Sequence, residues 1–492
     1  MTDIIGIAGA GAMGRGIAQI AAAAGFQVLL FDAKEGAAQE ACNALAATFA
    51  KLAEKGKMTR DEAAAASERL ACVPPLSPEL KSCSLIIEAI IERLDTKQTL
   101  FADLEKIVGE DCILASNTSS LSITAIASAC KNPQRVAGLH FFNPVPLMKV
   151  AELVAGLRTA PQTIKTLHDI VRRFGHAPVA AKDTPGFIVN HAGRGYGPEA
   201  LRLLEEGVAD AAVIDRILTE QAGFRMGPFE LYDLVGLDVS AAVMETLYAQ
   251  FFHEPRYRPS PLVRSRIEAG LLGKKTGQGF YAYENGQILR PPEPAVPDVK
   301  SLPVWTPDES LQGLLKSLGI VPDKKSDSLI LVAPLGEDAS GMAARLGLDA
   351  KRLLAIDTLF GFDKRLVLMT TPATDPGYRD AAQALLAGSG KPVSVIKDSP
   401  GFVSQRVLAN IVNIACDIAQ MGIAAPADID TAVRLGLGYP MGPLAWGDVL
   451  GPGAILTILE NLRRRSGDMR WRPSLWLQRR AELGLSLLAR EA

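Results

Sequence analysis

Lys182-Asp183-Thr184-Pro185-Gly186-Phe187-Ile188 returns as Lys397-Asp398-Ser399-Pro400-Gly401-Phe402-Val403, 215 residues further along the chain. Met226-Gly227-Pro228 returns at the same spacing as Met441-Gly442-Pro443. A constant offset between separated motifs requires an ungapped duplication, so the second copy must be able to fold as the first does. Asp215, Asp233 and Gly236 keep their partners in Asp430, Asp448 and Gly451. The chemistry is not repeated: Asn190 becomes Gln405, and all five histidines, at 140, 168, 176, 191 and 253, lie in the first half. The second copy therefore reads as a structural partner. From Pro185 to Ala269 the apolar spacing is helical, and Lys182 to Asn190 opens a long helical segment, so the repeated unit is predicted to be helical.

What precedes the first copy alternates strand and helix. An apolar run from Asp3 to Ala8 ends in Gly9-Ala10-Gly11-Ala12-Met13-Gly14, helical spacing follows to Ala24, and a second strand, Phe26 to Phe31, closes at Asp32. Glycines in that setting permit a tight turn, a close approach of backbone to pyrophosphate, and close packing of helix on strand. The helix amino end adds positive potential for the phosphates. Asp32, 18 residues beyond Gly14, is placed to take ribose hydroxyls and to repel a 2′-phosphate, which favours NAD over NADP. Ala33 to Leu70 reads as two helices joined at Glu54-Lys55-Gly56-Lys57. The lysines at 51, 55 and 57 there either form a solvated face or meet a polyanionic ligand.

Farther on, two apolar runs, Val136 to Phe142 and Met148 to Val154, flank a proline-broken loop. Paired antiparallel about Pro146, they put His140 opposite Glu152 on one face. An imidazole backed by a carboxylate is held in one tautomer and accepts a proton more readily, as the base for an alcohol proton must. Taken alone, such a histidine is more often tied into a structural hydrogen bond. Its position after a dinucleotide-type turn favours the catalytic reading.

The expected architecture is a Rossmann-type α/β domain (1–184), a first helical domain (185–285), a proline-rich linker (286–325), a degenerate α/β segment (326–396) and the second helical copy (397–492). The linker reading rests on six prolines between residues 286 and 307. With 48% hydrophobic and 22% charged residues over 492 positions, the chain can bury several cores. A formal net charge of −2 without long like-charge runs argues against a nucleic-acid or membrane partner. Six cysteines without metal-ligand spacing, and an opening that runs straight into a strand, point to a reducing cytoplasm and to no bound metal.

The strings SNTSSL, GLHFFNPVPLMKVAELV, KDTPGFIVN, MGPFEL and GKKTGQGFY, in that order, resemble the 3-hydroxyacyl-CoA dehydrogenases over residues 3–283. The resemblance implies NAD-dependent oxidation of an L-3-hydroxyacyl-CoA, with His140 as base and Glu152 as its partner. It implies that Ser119 and Asn190 contact the reacting end of the acyl-CoA. It also implies NAD contacts at Gly9, Gly11, Met13, Gly14, Asp32, Glu92, Lys97, Ser119, Asn143 and Lys275, and CoA contacts at Thr48 and Lys55.

The duplicated module is similar to long members of that family, among them dehydrogenases of phenylacetate breakdown that act on 3-hydroxyadipyl-CoA; 3-hydroxybutyryl-CoA is the other candidate. It implies either a monomer carrying an internal pseudo-dimer or a homodimer. After Asn190 the chain departs from many relatives with His191-Ala192-Gly193-Arg194-Gly195-Tyr196-Gly197. Arg194, with glycines making room beside it, is a candidate partner for a distal carboxylate of a dicarboxylyl-CoA. Two other classes remain open from the residues: a dehydrogenase of free β-hydroxy acids using a lysine base, and a catalytically idle NAD-binding protein.

Overall fold

The computed structural model describes residues 3–491. Two compact units emerge: one holds the described residues up to His191 together with Met421–Leu437, the other holds Ala192–Gln420 and the described residues from Gly438 onward.

In the first unit the strands are β1 (Ile4–Ala8), β2 (Gln27–Phe31), β3 (Leu70–Cys72), β4 (Leu85–Glu88), β5 (Ile113–Ser116), β6 (Val136–Phe141), β7 (Val150–Ala155) and β8 (Ala177–Lys182). They form one sheet in the order β3-β2-β1-β4-β5-β6-β7-β8. Neighbours from β3 to β6 run parallel, β7 runs antiparallel to β6, and β8 runs parallel to β7. The central strands are apolar throughout because helices cover both faces. Those helices are α1 (Ala12–Ala23), α2 (Ala37–Glu54), α3 (Arg60–Glu68), α4 (Leu94–Glu105), α5 (Ile123–Ala127) and α6 (Pro161–Arg173). The predicted α2–α3 hairpin is present, and Thr59 starts α3 with a capping box closed by Glu62. β3 has too few residues to show an alternation, so periodicity does not announce it.

The other unit carries the helices of both copies and a second sheet of five strands, Val304–Trp305, Leu329–Val332, Leu353–Ile356, Leu366–Thr370 and Val393–Ile396, in chain order. Its successive pairings are parallel, parallel, antiparallel and parallel. That is the sequence of pairings from β4 to β8, so the degenerate segment repeats the second half of the first sheet and omits the glycine-turn half. Even the cap is repeated. Asp183 accepts the N–H groups of Ile123 and Thr124 at the start of α5, and Asp398 accepts that of Ala339 at the start of the helix Ala339–Leu346.

In the first hairpin Gly138 faces Val154, and two residues on His140 faces Glu152. In the second Leu354 faces Thr370, and two residues on Ile356 faces Leu368, both fully buried. Apolar side chains replace the base and its partner.

Two departures from the periodicity have local causes. Where a long helix is predicted after Pro185, the chain has one turn, Val189–Ala192, then a tight turn, Gly193–Gly195, before Gly197–Glu205. A Cβ at Gly195 would lie 2.8 Å from the Cα of Ile411, and one at Gly197 would lie 2.4 Å from the Tyr232 hydroxyl. These glycines serve close packing rather than room for a ligand. The helix Val403–Gln420, which contains Ile411, runs unbroken. Within the proline-rich stretch, Val304–Trp305 is the edge strand of the second sheet and Gln312–Ser317 is a helix. Leu311, Leu314 and Leu315 are buried there, which a plain linker would not require.

No helix among the described residues is long and apolar enough to cross a membrane.

Candidate active site

The turn after β1 is shaped by its glycines. Gly9 has φ +106°, and a Cβ there would lie 2.5 Å from the Ala89 carbonyl oxygen. Gly14 packs α1 so tightly that a Cβ would sit 1.8 Å from the Gly9 oxygen, whereas Gly11 faces open space. Gly11 is also the cap residue of α1 and carries no side chain to satisfy the first-turn N–H groups. Open N–H groups over a cleared backbone suit a pyrophosphate. Asp32 accepts the Ala10 N–H at 2.7 Å and the Lys34 N–H at 2.8 Å, so its carboxylate is held beside this turn. The residues present fit a dinucleotide. Met13 is half-buried on the same first turn of α1.

At the carboxyl end of β4 a charge cluster stands on buried groups. Glu88, fully buried, accepts Lys97 Nζ at 2.5 Å, Ser116 Oγ at 2.6 Å and the Ile90 N–H at 2.7 Å. Lys97, also buried, reaches Glu92 at 3.2 Å. Glu92 accepts the Thr118 and Ser120 hydroxyls at 2.6 and 2.9 Å and the Ser119 N–H at 3.1 Å. Burial alone pushes Glu92 up, but Thr118, the Lys97 ammonium and the serine donors outweigh it and hold the carboxyl below its usual range. Ser119 and Glu92 are thus brought together. Glu88 is the member that sequence reasoning leaves out of the site, although an acid inside an apolar strand nine residues before a lysine is a usable signal.

The hairpin places the chemistry. His140 Nδ1 lies 2.6 Å from Glu152 Oε2. The other carboxylate oxygen accepts the N–H groups of Ile188 and Val189, each at 2.9 Å. Glu152 is fully buried and so is held by three partners. With both carboxylate oxygens accepting, the shared proton belongs on Nδ1, which leaves Nε2 as the acceptor. His140 is 5% exposed and is flanked by Phe142 and Phe187, with ring centroids 4.4 and 5.9 Å away. His176, by contrast, has its ring nitrogens 3.0 and 2.9 Å from the carbonyl oxygens of Phe174 and Val145, and is structural.

Asn117 Oδ1 accepts the Phe141 N–H at 2.8 Å, which ties the end of β6 to the loop that carries Ser119. Asn190 directly follows the Val189 N–H that holds Glu152. Asn143 is exposed in the loop after β6, before the cis peptide to Pro144. His140, Glu152, Ser119, Asn190 and the glycine turn therefore share one unit, gathered at the carboxyl ends of its parallel strands, where ligands of such sheets bind. The backbone donors of Ile188 and Val189 leave no trace in residue type and are legible only in the structure.

Other sequence candidates lie elsewhere. Thr48 turns its hydroxyl back to the Ala44 carbonyl at 2.8 Å, and Lys55 is exposed at the end of α2. Lys275 belongs to the other unit, where its ammonium lies 2.5 Å from Asp238. Arg194, in the same unit, is half-buried in the Gly193–Gly195 turn, and burial lowers the pKa of its guanidinium while the nearby Tyr232 and Tyr439 oppose that shift.

Residues 4–184 match the family model for the 3-hydroxyacyl-CoA dehydrogenase NAD binding domain, and residues 186–283 and 401–487 each match that for the family's C-terminal domain. The chain is 41% identical over 480 residues to the 3-hydroxyadipyl-CoA dehydrogenase of Escherichia coli K12, covering 97% of each. It is also 41% identical over 278 residues to the probable 3-hydroxybutyryl-CoA dehydrogenase of Deinococcus radiodurans, covering 56% of this chain and 99% of that one. A crystal structure of an Escherichia coli K12 3-hydroxybutyryl-CoA dehydrogenase superposes with a TM-score of 0.87 at 39% identity, over 98% of this chain and 99% of that one.

Proposed function

The chain belongs to the 3-hydroxyacyl-CoA dehydrogenase family and is an NAD-dependent oxidoreductase of 3-hydroxyacyl-CoA; from that premise we propose that His140 is its general base and 3-hydroxyadipyl-CoA its preferred substrate. The observation that carries the base is the 2.6 Å contact between His140 Nδ1 and Glu152, itself anchored by two backbone donors.

In this reading Nε2 takes the proton of the C3 hydroxyl while Glu152 stabilises the imidazolium that forms. Ser119 and Asn190 hold the carbinol oxygen and the thioester, so orientation supplies much of the rate. Bound NAD, held by Gly9, Gly11, Met13, Gly14 and Asp32, and with Glu92, Lys97, Asn143 and Lys275 as further contacts, supplies the acceptor for the hydride leaving C3. Phe142 and Phe187 exclude water from the ring face of His140. Thr48 and Lys55, on the exposed α2–α3 hairpin, are the proposed CoA contacts.

The dicarboxylate preference is supported by the relative that matches nearly the whole duplicated chain and by Arg194, a cation one helical turn beyond Asn190. The shorter relative and the superposed structure carry the four-carbon name, so a panel of L-3-hydroxyacyl-CoAs, read as NADH formed, separates the two. Arg194→Ala should lower kcat/KM for 3-hydroxyadipyl-CoA far more than for 3-hydroxybutyryl-CoA; equal losses remove Arg194 from the reading. Six free cysteines and the intramolecular pairing of the two helical copies suit a monomer, or a dimer of such pairs, in a reducing cytoplasm.

A further inference from the structure

The backbone that holds Glu152 is gripped at both ends by the second helical copy. Lys182 to Val189 runs from the end of β8 to the two N–H groups bonded to Glu152 Oε1. At its start, the Lys182 N–H donates to the Ile423 carbonyl oxygen at 2.9 Å, and two residues earlier the Ala180 N–H lies 3.4 Å from Asp428 Oδ2. At its far end stands Gly436, the last residue of the helix Pro426–Gly436, which packs on β7 and β8. A Cβ at Gly436 would lie 2.9 and 3.2 Å from the two methyl groups of Val189, and 3.6 Å from Val150 Cγ1. Val150 shares its strand face with Glu152, two residues away. Gly436 thus touches both walls that position the carboxylate.

The other copy repeats the grip with a different contact. Lys397, the counterpart of Lys182, donates to the carbonyl of Val208, the counterpart of Ile423, at 2.9 Å. Gln221 stands where Gly436 does, and its side chain accepts the hydroxyl of Ser404, the counterpart of Val189. A polar contact serves the hairpin that carries Ile356 and Leu368. Beside the hairpin with the histidine the contact is apolar and too close for a side chain.

We propose that Ile423–Gly436 of the second helical copy is a positioning element for the His140–Glu152 pair, with Gly436 kept free of a side chain so that Val189 stays on the carboxylate. The proposal rests on the functional reading above, and it gives the duplicated module a role in the chemistry beyond support. Gly436 acts through Val189 and Glu152, and touches no reacting atom.

Gly436→Ala is the test. Alanine favours a helix over glycine, so local propensity does not oppose the variant and any loss comes from the contact. A displaced carboxylate leaves His140 less basic and less well oriented. The expected result is a kcat lower by about tenfold or more, KM and the Kd for NAD within about twofold, and the acid limb of the pH profile moved to lower pH. Val189→Ala removes the methyl groups that the new Cβ meets, so the double variant should return to within about threefold of Val189→Ala alone.

Titration of the His140 ring by NMR reads the same coupling without turnover: its pKa falls in Gly436→Ala and recovers in the double variant. A wild-type kcat and an unmoved His140 titration in Gly436→Ala overturn the proposal, as does a loss that persists in the double variant. If the wild type reduces NAD with no 3-hydroxyacyl-CoA, the functional reading fails, and the NMR titration still decides the positioning role.

Discussion

Ile356 stands opposite Leu368 in the second hairpin, at the register position where the first hairpin pairs His140 with Glu152. The duplicated segment keeps the pairing geometry and replaces the proton-transferring pair with packing. Leu368→Ala should therefore cost about 2–5 kcal/mol of stability through the cavity it opens, while kcat measured well below the melting transition stays at the wild-type value. Denaturant titration and steady-state kinetics on the same preparation check both halves.

Glu152→Gln separates tautomer control from packing. The amide oxygen can still accept from Ile188 and Val189, but the amide nitrogen then faces Nδ1 as a donor and drives the imidazole proton to Nε2, where the base should be empty. A fall in kcat of about 10² or more is expected, with little change in melting temperature. Retained turnover would show that the carboxylate only fills space.

Asp32 does two things at the glycine turn: it accepts the Ala10 and Lys34 N–H groups, and it carries the charge that disfavours a 2′-phosphate. Asp32→Ala should raise the KM for NAD by about tenfold, in line with the loss of a charged hydrogen bond. The ratio of kcat/KM for NADP to that for NAD should rise at the same time, measured as initial rates with each cofactor.

Asp215 predicts a pH dependence of stability. Burial pushes its carboxyl up to about 7, against the pull of the Phe229 and Glu230 N–H groups and the Tyr281 hydroxyl. The native state then keeps a proton that an unfolded chain, with an ordinary value of about 3.9, gives up. This contribution is present in full below about pH 4 and is lost as pH rises toward 7. Asp215→Ala removes it, so the stability gap between wild type and variant should narrow from pH 5 to pH 8 in urea titrations; parallel curves would contradict the assignment.

Legibility in the sequence followed how local each cause is. Pro146 and the two apolar runs were enough to register His140 against Glu152, and the constant offset of 215 was enough to show the duplication. The glycine turn was readable because Gly9 and Gly14 answer steric demands of the turn itself. Ile188 and Val189 were not readable as anchors of Glu152, because backbone N–H groups carry no residue signature.

The break at Gly193–Gly195 has its cause in Ile411, more than 200 residues away. The addition of Pro426–Gly436 to the first unit is likewise a tertiary event that periodicity does not encode. Val304–Trp305 hid in a proline-rich stretch because an edge strand of two residues needs no alternation.

The central claim is that one imidazole removes the substrate proton, and His140→Gln tests it most directly. NADH formation from 3-hydroxyadipyl-CoA should fall by roughly 10² to 10⁴, while NAD binding, followed by protein fluorescence, is unchanged. Turnover at the wild-type rate in that variant would contradict the account.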